Sequence, residues 1–164
     1  MSGLTQIHRC IVPNRPMYRH LLEQCCDESP ELIDKADNLG RTPLHLAAEL
    51  YVSYDAELAR ILLEKGANPN IKDKLGRTPL HVAVISRAYE VVKLLLEHGA
   101  DVNCKDESGK TPLACINIDD TSTDIRDLLI EHGAKIDLLN ETEAEKEKEN
   151  KNSTKKSHNI CYVI

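Results

Sequence analysis

The sequence holds no Phe, no Trp and only five Tyr among its 164 residues. A core must therefore be assembled from Leu, Ile, Val and Ala, which suits helices packed through small side chains. A base-stacking surface or an aromatic cage has almost nothing to be built from. An excess of positive charge is missing too: 21 Lys and Arg stand against 27 Asp and Glu, a formal net charge of -6. A nucleic-acid-binding domain is not expected from that balance. No window approaches the run of about 18 apolar residues that a membrane-spanning helix needs. Between Met1 and Pro16 the residues Gln6, His8, Arg9, Pro13 and Asn14 interrupt any apolar stretch, so no secretory signal is expected. Ser2 in place of Gly excludes N-myristoylation. The six cysteines contain no CxxC pair, and the adjacent Cys25 and Cys26 are poorly spaced for zinc. No metal site is expected, and in a reducing compartment thiols such as Cys104 and Cys115 act as small hydrophobes.

What the chain does have is internal repetition. Gly40-Arg41-Thr42-Pro43-Leu44-His45 returns as Gly76-Arg77-Thr78-Pro79-Leu80-His81 and as Gly109-Lys110-Thr111-Pro112-Leu113-Ala114. Leu62-Leu63-Glu64-Lys65-Gly66-Ala67 returns as Leu95-Leu96-Glu97-His98-Gly99-Ala100 and Leu129-Ile130-Glu131-His132-Gly133-Ala134. The first marker steps by 36 and 33 residues and the second by 33 and 34. The extra residues fall between the two markers, around Tyr51 to Asp55 and Asp119 to Thr123.

Each unit has a physical reading. Thr42, Thr78 and Thr111 suit the N-cap position, where the hydroxyl accepts from a free first-turn amide, and the Pro that follows suits the first helical position. A helix is expected to start at each. Leu80, Ala83 and Val84 have the i, i+3, i+4 spacing of one buried helix face, and Val91, Val92, Leu94, Leu95 and Leu96 predict a second, more apolar helix. Gly66, Gly99 and Gly133 stand where a helix ends in a left-handed residue. Asp37, Asp73 and Asp106 each precede a Gly by three residues, which predicts an Asx-type turn and a tight hairpin.

The pattern D-x-x-G-x-T-P-L-H followed by L-L-E-x-G-A-x-x-N resembles the ankyrin repeat, over roughly Lys35 to Leu139. The resemblance implies an all-α solenoid of antiparallel helix pairs with projecting hairpins. It divides the chain into a degenerate N-terminal capping repeat at 1–36, repeats at 37–72, 73–105 and 106–139, and a flexible tail at 140–164. In the first unit, Ile7 to Val12 is read as a shortened helix, Pro16 to Gln24 as its partner, and Pro30-Glu31-Leu32-Ile33 as the lead into the hairpin. Ala114 where the other units have His, and Cys115-Ile116-Asn117 for the usual Ala-rich turn, mark a terminal repeat.

His45 and His81 titrate near neutrality and so suggest chemistry. The resemblance instead gives this His a hydrogen-bonding role between hairpins. Gly109-Lys110-Thr111 echoes a phosphate-binding loop, but Cys104 stands where that loop needs Gly, and Pro112 follows. No nucleophile-base set lies outside the repeat skeleton, and a stack of neighbours rarely encloses a deep pocket. No enzyme, cofactor or small-molecule substrate is expected. The resemblance implies partner-facing residues at the hairpin tips and first-helix ends. These are Asn38, Leu39, Arg41, Glu49 and Leu50, then Lys72, Lys74, Leu75, Arg77, Ile85 and Ser86, then Lys105, Glu107, Ser108, Lys110 and Ile118. The tip row is basic while the chain is acidic, which points to an acidic protein partner, with Leu39 and Leu75 as apolar anchors. Asn103, with Leu95 eight residues before it and Asp101 two before, resembles the ankyrin asparagines modified by a hydroxylase, and the alternative favoured over modification is a plain hairpin-stabilising Asn.

From Asn140 the composition turns to Glu, Lys, Asn, Ser and Thr, a solvated tether, before Cys161-Tyr162-Val163-Ile164 closes the chain. Those four residues fit a prenylation motif, with Cys161 as acceptor, aliphatic Val163 and a terminal Ile164 that favours geranylgeranyl. Lys151, Lys155 and Lys156 upstream would assist one lipid chain, and the Glu residues between 141 and 149 would oppose it. The expectation is a non-enzymatic adaptor or inhibitor, cytoplasmic and held at the cytosolic face of a membrane by its lipid. Alternatives are a freely soluble inhibitor that masks a transcription factor or signalling protein, and a pathogen effector that uses host prenylation.

Overall fold

The computed structural model describes residues 4–11, 17–49, 56–116 and 123–135. Among them are helices α1 (Gln6–Cys10), α2 (Met17–Glu28), α3 (Pro43–Glu49), α4 (Glu57–Glu64), α5 (Pro79–Ile85), α6 (Tyr89–Glu97) and α7 (Thr123–Glu131), with 3-10 turns at Pro30–Leu32 and Leu113–Cys115. No strand occurs among the described residues. The helices pair as α1 with α2, α3 with α4 and α5 with α6. Two rows run along the stack: α1, α3, α5 and the Leu113–Cys115 turn form one, and α2, α4, α6 and α7 the other. This is the all-α repeat solenoid the sequence predicts.

Periodicity places the core. Leu44 and Leu80 of the first helices, and Leu62, Leu95 and Leu129 of the second, are fully excluded from solvent. Ile7 and Leu22 fill the N-terminal unit. Burying one such side chain contributes about 1.5–3 kcal/mol, so the repeated Leu positions carry the packing that short helices need to exist at all.

Three boundaries differ from expectation. Helix α1 ends at Cys10, with Ile11 as its cap, so it is shorter than Ile7 to Val12. Helix α2 runs a turn beyond Gln24, to Glu28, because Cys25 and Cys26 continue its buried face. At Thr111 no α-helix forms: the hydroxyl accepts from the Ala114 amide (3.3 Å), and only the Leu113–Cys115 turn follows. The extra residues between the markers, at 50–55 and 117–122, lie outside the described residues.

The hairpins repeat one geometry. Asp37 Oδ1 accepts from the amides of Leu39 (2.8 Å) and Arg41 (2.9 Å). Asp73 does the same for Leu75 and Arg77, and Asp106 for Ser108 and Lys110. Successive hairpins join where the Lys74 amide donates to the Leu39 carbonyl (3.0 Å) and the Glu107 amide to that of Leu75 (3.1 Å). That approach dictates a glycine: at Gly76 (φ +72°) an added Cβ would lie 2.6 Å from the Glu107 nitrogen.

Histidine ties each hairpin to the preceding unit. His45 Nε2 lies 3.0 Å from the Arg77 carbonyl, and His81 Nε2 3.1 Å from that of Lys110. A carbonyl only accepts, so Nε2 carries the proton. Nδ1 is then the acceptor for the amide and hydroxyl of Thr42, or of Thr78. The neutral ring is fully used, which matches the complete burial of both side chains. Burial holds both His pKa values below the ordinary range, outweighing the carbonyls that favour the charged form. At Asp37 and Asp73 burial pushes the carboxyl pKa up. The opposing hydrogen bonds from the Arg41 or Arg77 backbone and side chain, with the Leu39 or Leu75 amide, win and hold it below the usual carboxylate value.

Two measurements follow. Gly109 shares the positive φ (+79°) but has nothing within 4 Å of an added Cβ. Gly109→Ala should cost about 1–2 kcal/mol from backbone conformation alone, and Gly76→Ala an additional 1–3 or so from the clash. Equal losses in urea titration would refute the close hairpin approach. For pH, the unfolded chain takes protons at its ordinary His pKa near 6.5 before the fold does, so stability falls as pH drops below that value. The carboxylate contribution is present above about pH 4 and is lost as pH falls through the depressed native values. The unfolding free energy from urea titration should decline from pH 7 to 5, at no more than about 1.4 kcal/mol per pH unit for each His, and the His45→Gln/His81→Gln variant should start lower with a flatter slope. An unchanged slope would contradict the neutral-ring assignment.

Candidate protein-binding surface

The tip row places apolar and basic groups side by side. Leu39 and Leu75 are each 56% exposed, against the full burial of Leu44, Leu62, Leu80, Leu95 and Leu129, and Ile85 at the end of α5 is 52% exposed. Hairpin geometry forces this: the residue two after the turn Asp points outward so that its amide can reach that carboxylate. Lys74 and Lys110 are exposed and make no ion pair among the described residues. Lys72 Nζ donates to the Lys105 carbonyl (2.7 Å), which links two hairpins and leaves its positive charge on the surface.

Arg41 and Arg77 are less available than their tip positions suggest. Each is half-buried and gives Nε and Nη2 to the carboxylate of its own hairpin, Asp37 or Asp73, at 2.7–3.0 Å. Arg41 Nη1 also reaches Glu49 at the end of α3 (3.3 Å). Arg77 Nη1 has no such partner among the described residues, and Arg77 lines a cleft of about 100 Å³ between α3 and α5. Arg41, His45 and Glu49 line one side of it, and Arg77, Val82, Ile85 and Ser86 the other. The cleft is far smaller than the roughly 300–1,000 Å³ of a small-molecule site, so it admits one protruding side chain rather than a substrate or cofactor.

Of the sixteen expected contact residues, Arg41, Glu49, Arg77, Ile85 and Ser86 meet around this cleft. Asn38, Leu39, Lys72, Lys74 and Leu75 belong to the neighbouring tips, and Lys105, Glu107, Ser108 and Lys110 to the third hairpin. Leu50 and Ile118 lie outside the described residues, as does Cys161 with the whole tail. Asn103 is half-buried and bridges two units: its Nδ2 donates to the Gly133 carbonyl (3.0 Å) and its Oδ1 accepts from the Lys135 amide (2.8 Å). Asn70 does the same with Gly99 and Asp101.

Two features went unread in the sequence. His8 repeats the histidine rung, with Nδ1 on Thr5 and Nε2 2.9 Å from the Arg41 carbonyl. The signal was present as Thr5-x-x-His8, 37 residues before Thr42-x-x-His45. Asp34 likewise takes the place of the bridging Asn and accepts from the Asn68 amide (3.0 Å). No three His, Cys, Asp or Glu side chains among the described residues are grouped to hold a metal, and no described helix is long and apolar enough to cross a membrane.

Comparison with individual curated proteins gives no match. Among protein families, the model for ankyrin repeats matches residues 51–140 in three copies, and no catalytic family is indicated. Ankyrin-repeat proteins are in general non-enzymatic interaction scaffolds. The match spans more than half of the chain, the same hairpin and histidine rung continue on its N-terminal side, and the chain belongs to the ankyrin-repeat family.

Proposed function

We propose that this chain is an adaptor or inhibitor that captures an acidic protein segment along its tip row and α3–α5 cleft, while a prenyl group on Cys161 holds it at the cytosolic face of a membrane. The observation that carries the binding half is the outward row Leu39, Leu75 and Ile85 set beside Lys74 and Arg77, whose Nη1 has no partner among the described residues. Apolar residues exposed in line on a rigid frame stabilise contact at low ordering cost, and the flanking cations favour a carboxylate-bearing partner and speed its approach. A Glu or Asp side chain entering the cleft would meet Arg77, and an aliphatic neighbour would cover Ile85 and Val82. The tether half rests on the residue order Cys161-Tyr162-Val163-Ile164. A lipid anchor would raise the local concentration of the surface near membrane-bound partners without adding a contact.

Arg41 and Arg77 close their hairpins, so reversing them would confuse folding with binding. Lys74→Glu/Leu75→Ser leaves those locks intact. Full-length protein and this variant, used as baits for cell extract, should recover a common partner set that the variant binds about 10- to 100-fold more weakly at an unchanged Tm. Equal recovery would discard the tip-row reading. For the tether, wild type and Cys161→Ser expressed in animal cells should differ by one geranylgeranyl mass and by membrane recovery. An unmodified, wholly soluble wild type would leave a diffusible inhibitor instead.

A further inference from the structure

The N-terminal unit differs from the others in what fills its helix-helix interface. By register, Cys10 stands where the next two units hold Ala47 and Ala83, Cys25 where they hold Ile61 and Leu94, and Cys26 where they hold Leu62 and Leu95. Two of these thiols meet. Cys10 Sγ on α1 lies 3.6 Å from Cys25 Sγ on α2, and the two residues are 2% and 3% exposed. Cys26 is as deeply buried, while Cys104 and Cys115 are only half-buried and belong to other units.

We propose that Cys10 and Cys25 form a redox-modification site, a dithiol that a peroxide converts into a disulfide clamping α1 onto α2. One thiol, deprotonated, attacks the peroxide. The O–O bond breaks, a sulfenic S–O bond forms and one water or alcohol leaves. The second thiol then attacks that sulfur, the S–S bond forms, the S–O bond breaks and a water carries off the remaining oxygen. Two thiols are oxidised and one peroxide is reduced. A disulfide needs the sulfurs about 2.05 Å apart, so closure asks for a shift of about 1.5 Å between two helices already in contact.

The chemical setting makes this a slow device. Burial and the neighbouring Cys25 push the Cys10 thiol up to about 12, and burial with Cys25 pushes Cys26 up to about 11. Thiolate is scarce in the closed unit, so oxidation waits on fraying of α1, a five-residue helix. The consequence reaches the binding surface, because α1 carries His8, whose Nε2 meets the Arg41 carbonyl, and Arg41 closes the first hairpin onto Asp37. A clamp on α1 therefore fixes the first rung of the stack and the Leu39 tip behind it.

The test uses full-length protein with Cys104, Cys115 and Cys161 replaced by Ser, reduced and then exposed to hydrogen peroxide. Intact mass should fall by two hydrogens, peptide mapping should find Cys10 joined to Cys25, and their alkylation should drop about tenfold or more. The oxidised form should melt several degrees higher and exchange the α1 amides more slowly. Cys10→Ala, which installs the residue found at this place in the next two units, should abolish the mass loss and the stabilisation while remaining folded. A Cys25–Cys26 or Cys10–Cys26 linkage, full alkylation of Cys10 and Cys25 after peroxide, or an oxidised form no more stable than the reduced one would each overturn the proposal.

Discussion

The stack depends on one hydrogen bond repeated three times, from a buried imidazole to the carbonyl of the residue after a hairpin glycine. Arg41, Arg77 and Lys110 supply the carbonyls, and His8, His45 and His81 the rings. The second ring nitrogen accepts from the Thr that begins the same helix, so one side chain caps its helix and fixes the next hairpin. A buried carbonyl left without a donor would cost about 1–3 kcal/mol, and here each unit satisfies its neighbour rather than itself. This is why the arrangement is a chain of nearest-neighbour terms and why no single unit is expected to hold its shape alone.

The ends of the stack obey the same rule in reverse. The last unit has Ala114 where a ring would point at a following hairpin, and without that ring its first helix contracts to the Leu113–Cys115 turn. The first unit keeps the ring, because it has a hairpin to hold, but loses the Pro and the long apolar helix face. Its α1 is five residues long and gains its place from Thr5, His8 and the buried Ile7. Degeneracy in these two units is thus selective: His8 keeps the rung to the next hairpin, and Ala114 lacks the ring that would form one.

That selectivity also explains what could be read in the sequence. Gly40, Gly76 and Gly109, the Thr-Pro helix starts, and the Leu62, Leu95 and Leu129 positions are each dictated by local geometry, so linear spacing was enough to place hairpins, helices and core. Helix α2 and the first helix of the fourth unit depart from their expected lengths because tertiary burial of Cys25 and Cys26, and the lost ring at Ala114, decide where they stop. Asn70 and Asn103 recur in the repeat pattern, but the groups they bridge are backbone atoms of the next unit, which carry no side-chain signature. The cleft could not be seen either, since it exists only between units.

The binding surface inherits a constraint from this economy of parts. Arg41 and Arg77 count as basic tip residues by position, yet two of each guanidinium's nitrogens are committed to Asp37 or Asp73. The tip row therefore presents less positive charge than the residue count implies, and its field comes chiefly from the exposed lysines Lys72, Lys74, Lys105 and Lys110. Because the same arginines offer their carbonyls to the histidine rungs, the hairpin's inner side is saturated by the stack. What the frame leaves for a partner is Leu39, Leu75, Ile85 and the residual Nη1 of Arg77. Specificity in such a surface arises from the few groups the stack does not need, which places it in the residues that differ between units rather than in those that repeat.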